Sequence, residues 1–146
     1  MFQPKELSLK TIIRSKGGVH LTSYLENRGS LVQLKKQIRQ SIEVATEHLS
    51  SVMPEEELKR FLSPLNQLLQ DSKILKSFTL NIGLFRTRDS FRMLGIPVDI
   101  DHICVVATSF HVKPLLRWIQ TDKEFLLLGL EKGSASLYLG SQSSAK

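Results

Sequence analysis

The sequence holds one cysteine, Cys104, among 146 residues, so an intramolecular disulfide is excluded. A single unpaired thiol suits a reducing compartment, and a cytoplasmic location is the expectation. No run approaches the ~18–20 apolar residues needed to cross a bilayer. The start, Met1-Phe2-Gln3-Pro4-Lys5-Glu6, lacks the apolar stretch of a signal peptide, so no membrane partner is expected. There is no P-loop lysine motif, no Gly-x-Gly-x-x-Gly and no Gly-x-Ser-x-Gly nucleophile elbow. The histidines His20, His48, His102 and His111 are not spaced as a two-histidine metal helix, and only one cysteine could join them. No metal, no cofactor and no catalytic residue is expected. Asp99 and Asp101 flank Ile100 like a carboxylate pair, but nothing nearby completes a reaction site.

What is present is an ordinary globular balance, 41% hydrophobic and 23% charged, in a length that suits one domain. Residues 5–16 place Leu7, Leu9, Ile12 and Ile13 near one helical face, and Gly17-Gly18 can supply the positive φ of a helix exit. Residues 19–25 read as a strand and Asn27-Arg28-Gly29 as a loop. The clearest element is a helix over 30–49. Leu31, Leu34, Ile38, Ile42, Ala45 and Leu49 recur at steps of three and four, and Ser30 with Gln33 forms a capping box. Pro54 suits the first position of a second helix, and Glu55, Glu56 and Glu57 suit its positive end. Ser63-Pro64 is expected to break or kink that helix, with 65–70 continuing as a separate piece.

Character changes at Ser77. Phe78, Leu80, Ile82 and Leu84 alternate with Thr79, Asn81 and Gly83, which predicts a half-buried strand over 77–85. Arg86-Thr87-Arg88-Asp89 reads as a turn, and 90–94 as the returning strand. The apolar run at 102–107 predicts a buried strand, with Cys104 as a small core residue rather than a nucleophile. A helix over 112–120 tolerates Pro114 in its first turn. Residues 124–130 and 135–140 flank Glu131-Lys132-Gly133-Ser134, a hairpin signal, and 141–146 is a small polar tail.

The net charge of +6 biases the chain mildly toward polyanions such as RNA. Two basic groups stand out. Arg28, Lys35, Lys36 and Arg39 surround the start of the long helix, while its acids Glu43 and Glu47 lie toward the other end. That order opposes the helix dipole by some tenths of a kcal/mol per charge. Arg86, Arg88 and Arg92 form the second group, in the hairpin after the alternating strand. Arginine forks suit phosphate, but charged hairpin tips also guard sheet edges. No aromatic platform accompanies either group, so a base-stacking reader of single strands is not indicated.

Two segments together carry a resemblance. One is Ser109-Phe110-His111-Val112-Lys113-Pro114-Leu115-Leu116. The other is Lys123-Glu124-Phe125-Leu126-Leu127-Leu128-Gly129-Leu130 followed by Gly133-Ser134-Ala135-Ser136-Leu137-Tyr138-Leu139-Gly140. The chain resembles bacterial members of the archaeal/eukaryotic-type peptide release factor family, in which such a junction joins the first domain to the second. Phe110 and His111 would then be junction residues. The family's Gly-Gly-Gln loop is absent, Ser50-Ser51-Val52-Met53-Pro54 stands where its Asn-Ile-Lys-Ser motif would fall, and its Tyr-x-Cys signature is missing near Gly83-Leu84-Phe85-Arg86.

The resemblance and the residue pattern together imply an α+β fold. An antiparallel or mixed sheet of about four strands would be packed by the long helix and a second helical arm, with a C-terminal β-hairpin. Residues 1–121 would be the N-terminal domain, 122–140 a hairpin like the start of a second domain, and 141–146 a tail. The implied function is a non-catalytic ribosome- or RNA-docking module of a release-factor-like rescue or hibernation protein. Its candidate RNA-binding residues are Arg28, Lys35, Lys36, Arg39, Arg86, Arg88 and Arg92. The rival is a protein-interaction or homodimerisation domain without a nucleic-acid role, with the C-terminal hairpin as the pairing edge.

Overall fold

The computed structural model of the chain describes residues 4–121; the hairpin and tail expected at 124–140 and 141–146 lie outside them. Among the described residues the order is α1 (Pro4–Arg14), β1 (Lys16–Leu25), α2 (Leu31–Leu49), α3 (Glu55–Gln70), α4 (Lys73–Lys76), β2 (Asn81–Arg86), β3 (Phe91–Ile96), β4 (Ile103–Ser109) and α5 (Lys113–Thr121). The fold is α+β. They divide into two compact units, Lys16–His111 and a second that contains α1 and α5. The division falls between His111 and Val112, inside the segment read from sequence as one domain. In the second unit, α1 buries Leu9 and Ile12, and α5 buries Leu115 and Ile119.

The sheet of the larger unit is antiparallel throughout, in the order β3-β2-β1-β4. Leu21 and Leu25 of β1 and Ile82 and Leu84 of β2 share one face. They form a single core with Leu34, Ile38 and Ala45 of α2 and Leu58, Leu62 and Leu65 of α3. Each fully buried leucine or isoleucine contributes about 1.5–3 kcal/mol relative to exposure. One polar pair sits in this core: the hydroxyls of Ser23 and Ser41 are 2.7 Å apart, so each satisfies the other. Cys104 adds a thiol that donates to the Ser41 carbonyl at 3.7 Å.

The helices start where local chemistry says they should. Ser30 stays extended, and its hydroxyl accepts the Gln33 N–H at 3.3 Å, the Ser30 half of the expected box. Pro54 is one position earlier than expected: it is the N-cap, and α3 begins at Glu55. Glu55, Glu56 and Glu57 fill the first turn as the helix dipole favours.

The break expected at Ser63-Pro64 does not occur; α3 runs unbroken through Pro64. Proline has no N–H, so the carbonyl four residues back, at Arg60, loses its helical donor. Arg86 of β2 supplies the replacement. Its Nη2 donates to the Arg60 carbonyl at 2.9 Å and its Nε to the Phe61 carbonyl at 2.7 Å. The guanidinium carbon lies 5.1 Å from the Phe61 ring centroid, a cation–π stack.

The strand expected to start at Ser77 starts at Asn81. Asn27 explains the delay, because its Nδ2 donates to the carbonyls of Phe78 at 3.2 Å and Leu80 at 2.9 Å. Those carbonyls leave the ladder, so the apolar alternation continues without a strand. β2 is buried on both faces across Ile82, Gly83, Leu84 and Phe85, not half-buried as the alternation suggested. Gly17 and Gly18 do take positive φ, 91° and 77°. They lie within β1, where the pairing with β4 shifts register between Lys16 and His20, rather than at a helix exit. The run at 102–107 becomes β4, which pairs with β1 alone among the described residues and is half-exposed instead of buried.

Candidate nucleic-acid interface

Phe110 and His111, read from sequence as junction residues, follow the end of β4 and are held by β1. Thr22 and Tyr24 lie on the sheet face away from α2. The Thr22 hydroxyl accepts the His111 N–H at 2.9 Å, and the Tyr24 hydroxyl donates to the His111 carbonyl. Phe110 is buried, with ring centroids 4.5 Å from His20 and 5.3 Å from Phe85, both edge-on. Burial pushes the Tyr24 phenol well above its usual range, so it remains a donor. His111 is thus held through its backbone, while its ring meets Tyr24 edge-on at 6.1 Å. His20, His48 and His102 each place Nδ1 against a backbone carbonyl, those of Gly18, Val44 and Tyr24.

The seven basic candidates separate into committed and uncommitted groups. Arg28 lies in a polar recess of about 550 Å³, shared with Glu26, Asp99 and Asp101, and is ion-paired to Glu26. Arg86 gives its Nε and Nη2 to α3 and its Nη1 to the Ser90 carbonyl at 3.3 Å. Burial pulls its guanidinium below the ordinary value, with Asp89 opposing. Arg88 is ion-paired to Glu57. Arg92 is half-buried opposite Phe85 in the β2–β3 ladder. Lys36 and Arg39 are exposed and Lys35 half-exposed on α2, and among the described residues none of the three has an acidic partner.

A residue not singled out from the sequence lies beside Arg86 and Arg88. Arg60 lines a recess of about 150 Å³ with Glu57, Phe61, Arg86 and Arg88. The signal was readable in principle: Pro64 orphans the Arg60 carbonyl, so a donor had to come from elsewhere, and it brings Arg86 beside Arg60. Among the described residues no three His, Cys, Asp or Glu side chains group as a metal site, and no helix is long and apolar enough to cross a membrane. Cys104 is held as a thiol by burial, its pKa raised to about 11 against the small lowering effect of its bond to Ser41.

No family model matches the chain, and no curated protein matches it.

Proposed function

We propose that the chain is a non-catalytic module that docks on RNA, with ribosomal RNA the target that the release-factor likeness suggests. The observation that carries the reading is the cationic strip on α2. Lys35, Lys36 and Arg39 stand on a 19-residue helix anchored over the sheet, without acidic partners among the described residues. A fixed row of cations attracts phosphates at low cost in ordering, because the backbone beneath them is already rigid. Lys35 and Arg39 are one turn apart and project together, so they can straddle a phosphate backbone. Arg86 serves α3 and Arg88 is paired to Glu57, so neither is counted in this strip.

Co-sedimentation with ribosomes tests it. Replacing Lys35, Lys36 and Arg39 with Ser should remove most of the pelleted protein at low salt, with folding unchanged by circular dichroism. An undiminished pellet would reject the reading.

A further inference from the structure

We infer that the RNA held by the α2 strip is a duplex, and that Lys73 and Lys76 of α4 supply a second row of cations for its other phosphate strand. This deepens the RNA-docking reading and rests on it.

The first observation is where α4 stands. Lys35, Arg39, Thr46 and Ser50 recur along α2 at steps of four, seven and four, so they share one flank. Thr46 and Ser50 line a groove with Leu58 and Leu62, so that flank faces α3. α3 returns antiparallel after a short connection, and its far end brings the chain back toward the start of α2. There α4 packs on α2, and Leu75 is buried in the same core as Leu34 and Ile38. Asn27, just before α2, holds the Phe78 and Leu80 carbonyls that follow α4. The Ser77 hydroxyl donates to the Ile74 carbonyl at 2.6 Å, and the Asp71 carboxylate accepts the Lys73 N–H at 3.2 Å. α4 is thus a fixed turn beside the Lys35 flank.

The second observation is charge without compensation. Lys73 and Lys76 are exposed, and among the described residues neither has an acidic partner. Packed helices hold their axes about 8–10 Å apart. Cations on two such helices can meet phosphates of two strands at once, where one helix alone follows a single strand. A-form RNA presents paired phosphate rows across its wide, shallow minor groove, and shape with phosphate contacts suffices to hold it. Single-strand readers instead supply aromatic faces for stacking. The large side chains exposed among these cations are aliphatic, Val32 at 71% and Ile74 at 52%, which suits the sugar edge of the groove rather than unstacked bases.

Fluorescence anisotropy of the full chain is the test, with an RNA duplex of about 16 base pairs and an unstructured single strand of equal length. The duplex should bind about tenfold tighter than the single strand. Lys73→Ser with Lys76→Ser should weaken the duplex about tenfold and lower its salt slope by about one to two, at about 0.9 per contact, while leaving the single strand within about threefold. Both positions are exposed, so circular dichroism should not change. Equal binding of the two RNAs, or an α4 pair that leaves the duplex untouched, overturns the inference. The RNA-docking reading survives either result if the Lys35, Lys36 and Arg39 triple variant still loses RNA. Full duplex binding by that triple variant, or capture by anionic lipid vesicles with no RNA binding, overturns both.

Discussion

Arg86 ends on three carbonyl oxygens, whereas Lys36 and Arg39 end in solvent. In the sequence these side chains look alike, each a cation in a short basic group. Their difference lies in what the backbone nearby lacks. Pro64 leaves the Arg60 carbonyl without its helical donor, and a planar fork with several N–H groups is the side chain that can serve it and its neighbour together. No backbone group calls on α2 in the same way, so its cations remain available. Where a proline sits inside a helix, a basic residue across the fold is first a candidate for repair, and only then for recognition.

The largest effect should come from the committed side. Arg86→Ala leaves the Arg60 carbonyl without a donor, removes a second bond to the Phe61 carbonyl and the stack on the Phe61 ring, and should cost about 1–3 kcal/mol in urea unfolding. Pro64→Ala restores an N–H to the helix, so in the Arg86→Ala background it should recover about 1 kcal/mol or more. Additive effects of the two changes would break the comparison.

The buried thiol gives a smaller effect with a definite sign. The Cys104 pKa is raised from 9.0 to about 11 in the fold. The folded chain keeps its proton where the unfolded chain has lost it. The contribution is therefore complete below pH 9 and disappears as pH rises through about 11. Thiolate absorbance should titrate near 11 in the native chain and near 9 in denaturant, and Cys104→Ala should flatten the fall in stability across that window. Equal titration in both states would remove Cys104 from the committed set.

Arg88→Ser should cost least, under about 1 kcal/mol, because the Arg88 side chain of its pair with Glu57 is 51% exposed. The loss should shrink further in high salt. A cost comparable to that of Arg86→Ala would mean that exposure does not separate the two arginines.

The sequence made α2 legible almost to the residue, since its apolar stripe and Ser30 cap are local signals. The α+β class and the turn before β3 were legible for the same reason. Two of the misread elements share one cause, a side chain arriving from far along the chain. Asn27 removes the carbonyls of Phe78 and Leu80 from the ladder across more than 50 positions, so alternation alone placed β2 too early. Arg86 keeps α3 whole across Pro64. The apolar run around Cys104 would look the same in a central strand or an edge strand, and only the order β3-β2-β1-β4 decides. For the candidate interface, position along α2 was readable, but which arginines were already engaged was not.

The salt dependence of binding to a ribosomal RNA fragment tests the central claim most directly. If Lys35, Lys36 and Arg39 meet phosphates, replacing all three with Ser should lower the slope of log affinity against log salt by about two to three, at about 0.7–0.9 per contact. A slope that stays the same in the triple variant would contradict the account.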